Sequence, residues 1–243
     1  MVNRVAETLL EGLFPNHCVL CGLRSRRTVP LCAACQGELQ VNSCCCQRCA
    51  IPLPPSASNN RQMLCGHCLH QPPPFDRVIA PWLYDEHLAH LIQRWKYHGE
   101  RRLTPLLAHL WLQQAPTPTA VDLLIPIPLH WRRLWRRGFN QSELLCRLLR
   151  RSCPGLSGAP LNHRLLRRQR ATAPQSGMNA TQRMSNLSGA FTVSRSCDNL
   201  RVAIVDDVLT TGATATAAAR ALTAAGASHI EVWCLARTPA PGF

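Results

Sequence analysis

No stretch of this 243-residue sequence approaches the roughly 20 consecutive apolar residues of a membrane-spanning helix. Its opening, MVNRVAETLLEGLFPNHC, lacks the long apolar core and small-residue cleavage site of a secretory signal. That stretch reads instead as a short amphipathic helix over residues 1–16, ended at Pro15. Acidic residues are scarce: 13 Asp and Glu stand against 27 Lys and Arg, a formal net charge of +14. Such a balance points to anionic partners, nucleic acid or phosphorylated ligands before a membrane surface. Neither G-x-G-x-x-G nor G-x-x-x-x-G-K-[ST] occurs, so dinucleotide and Walker-type nucleotide sites have no support. The expectation is a cytoplasmic protein with no membrane span.

Cysteine is abundant but uneven, ten of the fourteen falling before residue 70. Eight of these form four C-x-x-C pairs: Cys18/Cys21, Cys32/Cys35, Cys46/Cys49 and Cys65/Cys68. A two-residue gap lets both thiolates of a tight turn reach one tetrahedral ion, and in a reducing compartment such pairs read as metal knuckles rather than disulfides. Four knuckles can close two structural Zn²⁺ sites, paired either sequentially or as a cross-brace. Cys44 and Cys45 are surplus, either spectators or substitutes for Cys46, and His17, His67 and His70 read as bystanders. This module is expected over residues 17–72, with IPLPPSASNN (51–60) as a loop between knuckles and HQPPPFDR (70–77) closing it.

Beyond the module, over residues 76–238, apolar runs alternate with helical periodicity. VIAPWLY (78–84), VDLLIPIP (121–128), VAIV (202–205) and HIEVWCLA (229–236) read as strands. Leu88, Leu91, Ile92 and Trp95 share one helical face, as do Leu103, Leu106, Leu107 and Leu110. Helices are also expected over 140–151, with Leu144, Leu145, Leu148 and Leu149 inward, and from Thr214 to Ala225 with Gly226 as cap. Strands alternating with helices imply an α/β domain with a largely parallel sheet.

Ligands of such sheets bind beyond the carboxyl ends of the strands. There the stretch VAIVDDVLTTGATATAAARAL (202–222) places Asp206 and Asp207, then a Thr/Gly loop, then a helix N-terminus whose free N–H groups favour an anion. Gly212 permits close backbone approach, and Thr210, Thr211 and Thr214 add hydroxyl donors. Two carboxylates would repel a phosphate unless they address ribose hydroxyls or a magnesium ion. The plainer alternative is a strand that ends in two acids and a helix capped by threonine.

The run V-D-D-V-x-T-T-G-x-T, Val205 to Thr214, resembles the phosphoribosyl-pyrophosphate (PRPP) loop of type I phosphoribosyltransferases. IPIPLHWRRLWRRGFNQ (125–141), RQRATAPQSGMNATQRMSNLSGAF (168–191) and the cysteine-rich front extend the likeness to nearly the whole chain, which resembles the ComF family (competence protein F). The resemblance implies a phosphoribosyltransferase-like domain behind a double zinc ribbon. It assigns Asp206 and Asp207 to the ribose hydroxyls of PRPP, which binds with Mg²⁺. Thr210, Thr211, Gly212, Ala213 and Thr214 would cradle the 5′-phosphate. Leu129, His130, Trp131, Arg132 and Arg133 would form the pyrophosphate loop. Arg137, Gly138, Asn140 and Gln141, then Arg168, Thr172, Gln175, Arg183 and Asn186, match the family's polar blocks, the latter as a hood over the site. Met178 stands where a leucine is usual, a conservative departure.

WRRLWRR (131–137) and RLLRRQR (164–170) hold more arginine than a pyrophosphate needs. Tryptophan interleaved with arginine suits single-stranded DNA, where bases stack and phosphates are neutralised; equally, Trp131 and Trp135, four apart, would anchor a helix to the core. RWKYHGERR (94–102) adds further positive charge and an aromatic ring. The favoured expectation is a ComF-type factor handling single-stranded DNA in natural transformation or DNA utilisation, with PRPP or a related sugar phosphate in the pocket. Helicase or processing proteins of DNA uptake are its candidate partners. An active phosphoribosyltransferase ranks second, because no base-recognition hood is evident after residue 236, and a scaffold with a relic pocket third.

Overall fold

The structure is a computed structural model that describes residues 16–54, 63–153, 156, 158–169 and 189–240. The helix expected over 1–16, along with Thr172, Gln175, Arg183 and Asn186, lies outside the described residues, Asn16 apart.

The cysteine pairs combine sequentially. Cys18 and Cys21 meet Cys32 and Cys35, Cys46 and Cys49 meet Cys65 and Cys68, and in each group the four sulfurs lie within 4.8 Å of one another. That decides against the cross-brace. The two groups share one local construction. The first knuckle of each closes a turn, Gly22 N–H donating to the Cys18 carbonyl and Ala50 N–H to the Cys46 carbonyl, both at 2.8 Å. Gly22 and Ala50 there take φ values of +76° and +54°. The second knuckle of each starts a five-residue helix, α1 (Ala33–Gly37) or α2 (Gly66–His70). At those starts the sulfurs of Cys32 and Cys65 cap the helices by accepting the N–H groups of Cys35 and Cys68, both at 3.4 Å. Four converging thiolates with N–H···S support fit tetrahedral zinc. Cys44 and Cys45 lie outside both groups.

The second unit is a parallel four-stranded sheet of β1 (Arg77–Ile79), β3 (Leu123–Pro126), β6 (Arg201–Val205) and β8 (His229–Trp233), in the order β1-β8-β6-β3. Helices cover both faces, which is why its central strands read as unbroken apolar runs. Leu124, Ala203 and Val205 face α3 (Glu86–Tyr97), α4 (Thr104–Gln114) and α6 (Gln141–Ser152), a layer that includes buried Leu88, Leu107 and Leu145. Ile125, Val202 and Ile204 face α7 (Ala213–Ala224) through Ala218, Ala219 and Leu222.

Three strands pause and resume. After two-residue breaks at Ala80-Pro81, Asp206-Asp207 and Cys234-Leu235 the chain continues as β2 (Trp82–Leu83), β7 (Val208–Leu209) and β9 (Ala236–Arg237), a second parallel sheet in the order β2-β9-β7. The sequence suggested unbroken strands over 78–84 and 229–236, and a loop directly after the acids. Pro81 has no N–H to continue the ladder. At the acids the side chains take over backbone pairing: Asp207 N–H donates to Asp206 Oδ1 at 2.9 Å and Val208 N–H to Asp207 Oδ1 at 2.6 Å. A further pair, antiparallel β4 (Leu166–Arg168) and β5 (Phe191–Val193), was not legible as strands; it joins the two ends of the 168–191 block.

The cysteine-rich unit is sutured to the sheet edge. Leu83 N–H donates to the Gln40 carbonyl at 2.9 Å and Asn42 N–H to the Pro81 carbonyl at 2.8 Å. Asp85 caps α3 through Leu88 N–H and, with its other oxygen, accepts Gln40 N–H at 2.8 Å.

Sequential pairing has a direct consequence for metal content. The full chain is expected to carry two zinc ions; Cys46→Ser should lower this to one, and Cys44→Ser should leave two, as counted by elemental analysis of the purified proteins. Equal losses in both variants would contradict the assignment of Cys46 over Cys44.

Candidate functional site

The site lies where β6 breaks, as expected for a ligand at the carboxyl edge of a parallel sheet. Asp207 is buried and both its oxygens are engaged. Oδ1 pairs with Lys96 Nζ at 2.7 Å, besides accepting Val208 N–H, and Oδ2 accepts Gln141 Nε2 at 2.7 Å. Asp206 is only half-buried. Its Oδ1 accepts Ser142 Oγ at 3.2 Å together with Asp207 N–H, while Oδ2 accepts no hydrogen bond among the described residues. The acids expected to act alike are therefore unlike: one is locked into the scaffold, the other keeps an oxygen to offer.

Electrostatics follow this division. Burial and the adjacent Asp207 push the Asp206 carboxyl up from 3.8 to about 7. Burial disfavours the Lys96 ammonium, but the charge and hydrogen bond of Asp207 outweigh it and the net shift is upward. For Asp206 the raised value means that its contribution to folding is fullest below about 4 and is lost as pH climbs through about 7.

Three helices converge on the pair. Lys96 comes from the last turn of α3, four residues after Ile92 on the buried stripe. Gln141 and Ser142 begin α6, where Asn140 caps Ser142 N–H at 3.1 Å and donates through Nδ2 to the Ile127 carbonyl at 3.0 Å. Arg137 ends a seven-residue helix, α5 (Trp131–Arg137); it donates to Gln141 Oε1 at 2.5 Å and lies over the Tyr97 ring at 5.3 Å. Gly138, at φ +76°, ends α5, and its carbonyl accepts Arg101 Nη2 at 2.6 Å. Loss of solvation holds the Arg137 guanidinium below its usual range.

Of the expected pyrophosphate loop, only Leu129 and His130 precede the helix; Trp131, Arg132 and Arg133 form its first turn. His130 caps that turn through Nδ1, which accepts Arg132 N–H at 3.3 Å. Lost solvation, then Arg168, Arg132 and Arg133, depress its ring. Arg168 at the end of β4 is drawn down to about 10 by burial and by Arg133, against the pull of Asp206. Its guanidinium lies over the Phe191 ring at 5.6 Å. α5 buries none of its residues: Trp131 is 65% exposed and Trp135 85%. They do not anchor the helix to the core.

On the other side of the acids, Thr210 and Thr211 are exposed, and Gly212 adopts φ +79° as the residue before α7. Gly212 offers no side-chain cap to α7, and no acidic residue occupies the first turn of that helix. Thr211 Oγ1 accepts Ala213 N–H at 3.4 Å. Besides Lys96 and Ser142, residue-by-residue expectation missed Arg237. It is buried, donating to the carbonyls of Leu209, Thr210, Thr238 and Cys49. Among the described residues, no helix is long and apolar enough to cross a membrane.

Comparison with known proteins agrees with this layout. A double zinc ribbon domain matches residues 9–69 and a phosphoribosyl transferase domain residues 156–242. The chain is 35% identical over 216 residues to DNA utilization protein YhgH of Escherichia coli (strain K12), covering 86% of this chain and 90% of that protein. It is 35% identical over 219 residues to Competence protein F of Haemophilus influenzae, covering 85% and 90%. Competence protein ComFC of Bacillus subtilis is 28% identical over 160 residues, covering 65% and 62%. Two four-cysteine sites, a parallel α/β domain with a phosphoribosyl transferase match and relatives spanning nearly the full length together place the chain in the ComF family, that of competence protein F.

Proposed function

We propose that the protein acts in DNA uptake or utilisation, binding single-stranded DNA on α5 and a sugar phosphate of the PRPP type at the break of β6. The observation that carries this is the join between the two surfaces. Trp131 and Trp135 stand exposed among Arg132, Arg133 and Arg136, and the same helix ends at Arg137, hydrogen-bonded through Gln141 to Asp207. The names of the relatives, a DNA utilization protein and a competence protein, point the same way.

In the pocket, the 5′-phosphate takes the N–H groups of the Thr210–Thr214 turn, and the ribose hydroxyls donate to the uncommitted oxygen of Asp206. Arg132, Arg133 and Arg168 supply positive charge for the diphosphate, while His130, whose ring lost solvation and these charges hold neutral, caps the helix that carries the first two. The oxygen-rich ligand and the Asp206 carboxylate fit a magnesium ion, which neutralises diphosphate charge when bound. Asp207 does not reach the ligand in this scheme; it holds Lys96 and Gln141 in place. These groups favour binding, while turnover would further require a bound acceptor.

Two outcomes follow. Calorimetric titration of PRPP with Mg²⁺ should give saturable binding that Asp206→Asn abolishes. Because the carboxylate must be ionised and its pKa lies near 7, affinity at pH 6 should be about tenfold below that at pH 8. Absence of heat from the folded wild type would remove the sugar-phosphate reading. For DNA, Trp135→Ala should weaken binding of a labelled single-stranded oligonucleotide by roughly fivefold to a hundredfold, the worth of one stacked base. Replacing Arg132, Arg133 and Arg136 should flatten the salt dependence. Unchanged anisotropy titrations in both variants would exclude α5 as the DNA surface.

A further inference from the structure

The PRPP loop and the second four-cysteine group are joined through one buried side chain. Arg237 is 7% exposed, and its guanidinium spans both units. Nη1 donates to the carbonyls of Leu209 at 3.0 Å, Thr210, and Thr238 at 2.7 Å, while Nε donates to the Cys49 carbonyl at 3.1 Å. A guanidinium is a rigid planar fork, so its donors cannot adjust independently. Leu209 and Thr210 lead into the turn at Gly212, whose threonines are exposed. On the other side, the Cys49 carbonyl belongs to the knuckle turn. Ala50 N–H closes that turn on the Cys46 carbonyl at 2.8 Å, and the Ala50 carbonyl accepts Asn42 Nδ2 at 2.9 Å.

The first four-cysteine group has a different attachment. Its knuckle docks on α3, where Arg94 Nη1 donates to the Val19 carbonyl at 2.6 Å. Among the described residues, Arg237 bonds to the second group alone.

We propose that Arg237 is the positioning residue of the phosphate loop and that the second zinc site, through the Cys49 carbonyl, holds it in register. This rests on the sugar-phosphate reading of the pocket. The knuckle sets the Cys49 carbonyl, the carbonyl orients the guanidinium, and the guanidinium fixes the strand end from which the turn departs. Emptying the second site releases the Cys46–Ala50 turn and with it one arm of the fork. Emptying the first leaves the fork untouched. Coupling between two ligands is reciprocal, so a sugar phosphate that orders the turn also retains zinc in the second site and not in the first.

The test uses the full zinc-loaded chain. With saturating PRPP and Mg²⁺, one of the two zinc ions of the wild type should pass to a chromogenic chelator about fivefold or more slowly, the other at an unchanged rate. Arg237→Gln should keep two zinc ions, bind PRPP roughly tenfold more weakly and lose the protection. Hydrogen exchange over residues 208–212 should rise in Arg237→Gln and in Cys65→Ser but not in Cys32→Ser. Zinc release indifferent to PRPP in a wild type that binds it would overturn the proposal. So would exchange over 208–212 that responds equally to Cys65→Ser and Cys32→Ser. If the wild type binds no PRPP, the pocket reading fails, and the exchange comparison alone decides the role of Arg237. If Arg237→Gln does not fold, zinc release from the wild type carries the test.

Discussion

The site depends on the ion pair between Lys96 and Asp207. Two adjacent carboxylates at the end of a buried strand repel each other and lose solvation, and such a pair persists only when one charge is matched. Lys96 provides that match from the last turn of α3, at 2.7 Å, and Gln141 and the Val208 N–H complete the coordination of the carboxylate. With Asp207 satisfied, α3 and the start of α6 are drawn onto the sheet edge beside Asp206. The neighbouring acid is left half-buried, raised in pKa and with one oxygen uncommitted among the described residues. Asp207 is thus held on all sides by Lys96, Gln141 and Val208, and Asp206 is not.

The same break in β6 sets where the turn begins. Because the acids take over backbone N–H groups, the ladder stops for two residues and restarts as β7, displacing the Thr/Gly turn from the main sheet by one short strand. The restarted sheet is also where the cysteine-rich unit joins, at Gln40 and Asn42 beside β2 and at Cys49 beside β9. A segment with little apolar core draws its folding energy from metal. Here the unit with the two four-cysteine groups borders the sheet from which the Thr/Gly turn departs.

Much of this was legible in the sequence. The C-x-x-C spacing implied two zinc sites because ligand reach is local, and the helical stripes of α3 and α4 appear in the structure as buried faces. The α/β order followed from alternating periodicity. What escaped was what depends on distant residues. The pairing of knuckles is a matter of tertiary packing. Lys96 looks like one more basic residue in RWKYHGERR, although its place four residues after Ile92 on the buried stripe was a usable signal. Arg237 lies in a terminal stretch without a motif, and nothing local shows that its partners are the carbonyls of Cys49 and Thr210. Trp131 and Trp135 fitted a core anchor or a stacking surface equally well in the sequence, and their exposure in the fold removes the core anchor.

The most direct measurement is a double-mutant cycle on the ion pair, with stabilities taken from urea unfolding of zinc-loaded protein. Lys96→Met leaves the Asp207 charge buried without its partner and should cost about 3–5 kcal/mol. Asp207→Asn removes that charge, so in the double variant the effects should fall short of additivity by at least about 2 kcal/mol. Effects that add within about 0.5 kcal/mol would contradict the central role given to this pair.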